Sequence, residues 1–88
     1  MSTMSEVQER LSPRLRSVIA DVLGLTVEQV GAAAAAGQLE GWDSFGHLQV
    51  VLALEAEFGV QFDPQKIPEL TTVAKLQGYL ESKGATLG

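Results

Sequence analysis

Residues 41–60 read GWDSFGHLQVVLALEAEFGV, a polar turn that gives way to an apolar run at helical spacing. At about 100° per residue, Val50, Val51, Leu54 and Phe58 share one sector of a helix, and Phe45, Leu48 and Leu52 share a neighbouring one. Glu55 projects between the two sectors. The apolar arc is therefore about 220° wide, roughly twice what packing on one core face requires. A helix buried all round would not carry a carboxylate in the middle of that arc. Two readings account for the pattern. Either one face enters the core while Phe45, Leu48 and Leu52, rimmed by Glu55, are offered to a partner, or the second sector packs under the long connection 25–43.

The flanking sequence supplies two more helices. Leu11, Leu15, Val18, Ile19, Val22 and Leu23 gather within about 120° of arc. Ser12 followed by Pro13 suits the start of that helix and Gly24 its left-handed end. Residues 5–11 form either a separate turn or a kinked extension. The last helix carries Val73, Leu76, Tyr79 and Leu80 on one face, starting at Thr72 and stopping near Gly84. Ile67 and Leu70, set around Pro64 and Pro68, suggest a short helical piece. The connection 25–43 holds GAAAAAG, whose alanines are too few between glycines to overcome helix nucleation, so it forms a turn or two of helix at most. No strand alternation, hairpin signal or internal repeat appears. The expected fold is all-α, a small antiparallel bundle of three main helices plus one short helix. Residues 1–10 form a polar extension, 11–83 the domain and 84–88 a tail.

At 88 residues such a chain buries about 60–65% of its unfolded surface, which leaves no room for a two-domain enzyme. The absence of cysteine excludes a disulfide framework, a thiolate nucleophile and a cysteine zinc site. The N-terminus has no apolar h-region, and the longest strongly apolar run, Val50–Leu54, is far below the roughly 18 residues of a membrane span. A soluble, cytoplasmic protein without membrane insertion is expected, and nothing calls for more than a monomer. The net charge of −5 is unevenly placed: no lysine or arginine lies between Arg16 and Lys66, while Asp21, Glu28, Glu40, Asp43, Glu55, Glu57 and Asp63 do. Such a surface repels nucleic acid and favours partners with basic surfaces.

Ser44 stands where the polar turn becomes helix. Ser44 or Asp43 suits the helix cap, whose side-chain oxygen satisfies free N–H groups. As a nucleophile Ser44 lacks the G-x-S-x-G elbow and a preceding strand, and the chain's only histidine, His47, has no third partner in view. Asp43 and His47 lack further ligands at metal-binding spacing. The cap reading does not exclude more: a helix start also offers free N–H groups and partial positive charge, which suit a phosphate.

Asp43-Ser44-Phe45, with Leu48, Val50, Val51, Leu52, Leu54, Glu55 and Phe58, resembles the Asp-Ser-Leu motif and second helix of acyl carrier proteins. The resemblance continues through Gly59-Val60, Phe62, Ile67, Leu70 and Thr71-Thr72-Val73, covering roughly residues 11–83. It implies that Ser44 receives 4'-phosphopantetheine from coenzyme A through a magnesium-dependent phosphopantetheinyl transferase, and that the arm's thiol holds acyl groups as thioesters. The chain itself would catalyse nothing. Acyl-loading and chain-processing enzymes would dock on Asp43, Phe45, Leu48, Leu52 and Glu55, while His47, Val50, Val51, Leu54 and Phe58 would line a pocket for cargo. His47 would be either a partly buried residue with one hydrogen bond or a contact at the pocket mouth, and Trp42 a lid beneath the connection. Gly46 would let the modifying enzyme approach Ser44. Phe45 in place of the usual leucine, Ala56 in place of an acid, and Gln65 and Lys66 in an often acidic segment depart from primary fatty acid carriers, and the run Gly41-Trp42-Asp43-Ser44-Phe45-Gly46-His47 resembles free-standing carriers of specialised polyketide-like or modified-lipid pathways. An aminoacyl or peptidyl carrier shares the attachment serine, and an unmodified helical adaptor would keep only the docking face.

Overall fold

A computed structural model describes residues 11–31, 34–38 and 41–85; the polar extension 1–10, the last three tail residues and Glu40 lie outside the described residues. Helix α1 spans Pro13–Leu23, α2 spans Ser44–Phe58 and α3 spans Val73–Ser82. Each begins on a side-chain cap. Ser12 Oγ accepts from the Leu15 N–H (3.2 Å), Asp43 Oδ1 from Gly46 (2.8 Å) and Thr72 Oγ1 from Lys75 (3.2 Å), and each such cap contributes about 1 kcal/mol. Gly24 and Gly59, at φ 70° and 68°, end α1 and α2 in the left-handed conformation that a side chain disfavours. The expected short helical piece is a 3₁₀ turn at Ile67–Glu69, and a second 3₁₀ turn occupies Val27–Gln29.

The core is built from the faces read by periodicity. Leu15 and Ile19 of α1, Val50, Val51 and Leu54 of α2, and Val73, Leu76 and Leu80 of α3 are all buried, closed in by Val30, Trp42 and Phe62. Each large side chain buried this way stabilises the fold by about 1.5–3 kcal/mol before entropy is counted. Tyr79 is half-buried and stacks on Phe62 with ring centroids 4.8 Å apart, while its hydroxyl accepts from the Asp63 N–H.

The antiparallel relation is visible where α1 begins. Arg14 pairs with Glu57 at the far end of α2, and the Ser12 N–H donates to Gln77 Oε1 of α3 over 2.7 Å in a buried position. The start of α3 lies beside the start of α2. Ala35 forms an antiparallel bridge with Thr72, and the Gly37 N–H donates to the Trp42 carbonyl. Helix α1 therefore runs against both others, while the segment 59–72 carries the chain back so that α3 runs alongside α2.

Two features of the first connection have no periodic signature. The bridge at Ala35 is one pair of residues, too short to show alternation. Arg16 donates from Nε to the Val30 carbonyl (2.7 Å) and from Nη2 to the Val27 carbonyl (2.8 Å), tying the second 3₁₀ turn to α1. In the sequence Arg16 reads only as one of the charges balancing the N-terminal acids.

Gly46 is buried against the protein's own backbone: a Cβ there would lie well inside van der Waals contact of the Gly41 carbonyl oxygen. Its smallness serves the fold. Gly46→Ala gains about 1 kcal/mol of helix propensity but forces the backbone apart. The expected net loss is about 1–3 kcal/mol, read as a fall in the denaturation midpoint. A variant as stable as the parent would show that the turn before α2 shifts without cost.

Candidate functional site

The structure settles which residue caps α2. Asp43 takes that role, and Ser44, the first residue of the helix, is exposed. Ser44 borders an open cleft of about 480 Å³ lined by Ala36, Gly37, Asp43, Ser44, His47, Pro68 and Thr71. The wall at Ala36 and Gly37 is held by the pairing of 34–36 with 71–73, through Ala36 N–H to the Thr71 carbonyl (2.8 Å) and Val73 N–H to the Ala34 carbonyl (3.1 Å).

His47 forms the inner side of this cleft and is almost fully buried. Its Nδ1 lies 2.9 Å from Trp42 Nε1 and its Nε2 lies 3.1 Å from the Ile67 carbonyl oxygen. An indole nitrogen can only donate, so Nδ1 accepts and the ring proton sits on Nε2, from which it is donated to Ile67. His47 thus makes two hydrogen bonds, one more than the buried reading expected, and neither ring nitrogen remains to act as a base for Ser44. Trp42 is buried with no exposed surface. Among the described residues no group of three or more histidine, aspartate or glutamate side chains is placed to hold a metal ion.

On the opposite sector of α2, Phe45, Leu48 and Leu52 are 68%, 47% and 55% exposed. Of the two readings of the wide apolar arc, the second sector faces outward and does not pack under the connection. Glu55 at its edge is half-buried, and its Oε2 accepts from the Phe62 N–H (2.7 Å), fixing the turn that follows α2. Val50, Val51 and Leu54 are packed into the core, and Phe58 is half-buried beneath the Arg14 guanidinium at 4.8 Å. Of the five residues expected to line a pocket, only His47 borders the cleft. Ala36, Gly37, Pro68 and Thr71, which complete it, come from connections whose pairing no local pattern announces.

Chemically, the arrangement offers an exposed primary hydroxyl at the start of a 15-residue helix, beside a mostly apolar cleft of ligand size. Free N–H groups and the helix dipole favour a phosphate at that point. The residues present therefore fit a phosphate-linked group attached at Ser44 and lying in or across the cleft.

Comparison with known proteins bears on the same region. The family described as "Phosphopantetheine attachment site" matches residues 13–80, from the first residue of α1 to near the end of α3. An acyl carrier protein of Bdellovibrio bacteriovorus is 31% identical over 74 residues, covering 84% of this chain and 95% of that protein. One of Thermotoga maritima is 30% identical over 76 residues, covering 86% and 94%. Acyl carrier protein 3 of Ralstonia nicotianae is 32% identical over 75 residues, covering 85% and 86%. With one family matched across all three helices and relatives similar over nearly their whole lengths, the chain belongs to the acyl carrier protein family, as a non-catalytic carrier whose cofactor is 4'-phosphopantetheine.

Proposed function

We propose that Ser44 is the attachment point, and that the chain is a free-standing cytoplasmic carrier that presents acyl groups to partner enzymes in a specialised polyketide-like or modified-lipid pathway. The observation that carries the first part is the exposed Ser44 at a helix start whose capping is already supplied by Asp43. Ser44 Oγ displaces 3',5'-adenosine diphosphate from coenzyme A, forming one oxygen–phosphorus bond as another breaks and losing its proton to the transferase. The attached arm supplies the thiol that this cysteine-free chain lacks, and acyl groups are held there as thioesters. Support for a specialised pathway lies in the run Gly41-Trp42-Asp43-Ser44-Phe45-Gly46-His47, which resembles such carriers, while Phe45, Ala56, Gln65 and Lys66, all exposed, depart from the pattern of primary fatty acid carriers.

In this reading Phe45, Leu48 and Leu52 are the docking face for the transferase and the acyl-handling enzymes. Asp43 and Glu55 stand at its rim. Each already accepts a backbone hydrogen bond, and a carboxylate with two oxygens keeps further acceptor capacity toward a basic partner surface. No helix among the described residues is long and apolar enough to cross a membrane.

Incubation with coenzyme A, magnesium and a broad-specificity phosphopantetheinyl transferase is expected to add one phosphopantetheinyl group by intact mass. Ser44→Ala is expected to add none while losing less than about 0.5 kcal/mol of stability, because Ser44 is exposed and does not cap α2. No gain from the folded parent with several transferases would move the assignment to an unmodified helical adaptor.

Docking is tested separately. Phe45→Ala and Leu52→Ala are each expected to lower kcat/KM for that modification by about fivefold or more, as loss of an interface anchor does. Both side chains are more than half exposed, so melting should change by no more than about 2 °C. Unchanged kinetics in both variants would place the docking face elsewhere.

A further inference from the structure

Resting on the reading of Ser44 as the attachment point, we propose that the hydrogen-bonded chain Trp42–His47–Ile67 closes the bundle interior to cargo. This carrier then serves short acyl groups, about four carbons or fewer, held in the outer cleft against Ala36, Gly37, Pro68 and Thr71. The interior expected from the sequence as a cargo pocket is occupied by the protein itself.

The geometry places the latch on the path inward. His47 lies one helical turn before Val50 and Val51, on the same face of α2, so a chain leading from Ser44 toward those residues passes His47 first. His47 cannot swing aside freely. Its two ring nitrogens join the turn before α2, through Trp42, to the 3₁₀ turn Ile67–Glu69. Moving it leaves the fully buried Trp42 N–H without its partner and takes one of two donors from the Ile67 carbonyl, which keeps the Leu70 N–H. Behind it Val50, Val51 and Leu54 have essentially no exposed surface, and the Trp42 ring, 6.0 Å from His47 between centroids, is equally enclosed.

The same bonds shape the outer cleft. By holding the Ile67 carbonyl, His47 fixes the adjacent Pro68, which with Thr71 forms one wall, while the pairing at Ala36 fixes the other. At about 480 Å³ the cleft lies toward the small end of sites for compact ligands, roughly 300–1,000 Å³. A phosphopantetheine arm attached at Ser44 and lying there would take part of that space and leave room for a small apolar cargo. His47 is therefore a positioning residue: both its polar atoms are already engaged, and it acts on cargo by keeping Trp42 and the 3₁₀ turn in place.

The test compares amide and indole NMR spectra of the phosphopantetheinylated protein and its butyryl form, the latter made from butyryl-coenzyme A with the same transferase and checked by intact mass. Adding the butyryl group is expected to shift the amides of Ala36, Gly37 and Thr71. The indole N–H of Trp42, the chain's single tryptophan, and the amides of Val51 and Leu54 should stay in place. In Trp42→Phe, which removes the donor and keeps an aromatic ring, the butyryl-dependent shifts are expected to spread to Val51 and Leu54. A shift of the parent's Trp42 indole or of Leu54, or no shift at the cleft residues, overturns the proposal. So does a folded Trp42→Phe protein whose shifts remain confined to the cleft; if that variant fails to fold, the parent spectra decide alone. Absence of any mass gain at Ser44 is a different result, which removes the attachment reading and this inference with it.

Discussion

The hydrogen bond from Trp42 to His47 fixes the relation between a turn and the helix that follows it, and much of the site depends on that relation. Trp42 is the last buried residue before α2, and His47 is in the helix's first full turn. Once they are joined, the helix start cannot rotate relative to the turn, and Ser44 between them is held outward. Two further contacts act at the same place. The Asp43 carboxylate caps the helix, and Gly46 lets the Gly41 carbonyl lie against its first turn. Three short-range constraints of different kinds thus position one exposed hydroxyl, which a weakly anchored helix start would leave to fray.

With its start fixed, α2 divides its circumference between fold and function. Val50, Val51 and Leu54 meet α1 and α3 in the core, and Phe45, Leu48 and Leu52 are left outside. Glu55 explains how a carboxylate can sit between two apolar sectors: it is turned toward the Phe62 N–H, where it organises the segment leading away from the helix. Glu57 is likewise turned to Arg14 at the start of α1. Near the end of the helix the acids serve tertiary contacts, and this leaves the outward sector from Phe45 to Ala56 apolar in its centre.

The sequence made the helices, caps and terminators legible because each is written locally. Ser12-Pro13, Thr72, Gly24 and the 3.6-residue period of the core faces all act over a few neighbours. Ser44 was legible for the same reason, as a serine at an abrupt change from turn to apolar helix. What could not be read is what depends on partners far apart in the chain. The Ala35–Thr72 bridge joins segments 37 positions apart in sequence and makes the cleft wall, yet five alanines carry no mark of whom they will meet. The Arg16 fork onto two carbonyls and the second bond of His47 to Ile67 are also long-range choices of polar groups. Periodicity put His47 correctly on the inner face of α2, but it could not separate a residue that lines a pocket from one that shuts it.

That distinction is energetic. Among the described residues no buried side-chain nitrogen or oxygen lacks a partner, so displacing His47 would create defects that the resting fold does not have. Leaving the Trp42 N–H unpaired costs about 1–3 kcal/mol, and the Ile67 carbonyl, which keeps the Leu70 N–H, loses a second hydrogen bond worth about 0.5–1.5 kcal/mol. Each methylene moved from water into the interior returns about 0.8 kcal/mol. Roughly two to six methylenes are then needed merely to offset the broken bonds, before any separation of packed helices. A short acyl group falls toward the low end of that range and gains nothing net by entering once the cost of parting the helices is added, and a longer one must displace a core that is already filled. The latch therefore keeps cargo on the outside of the bundle, beside the face that partners would read.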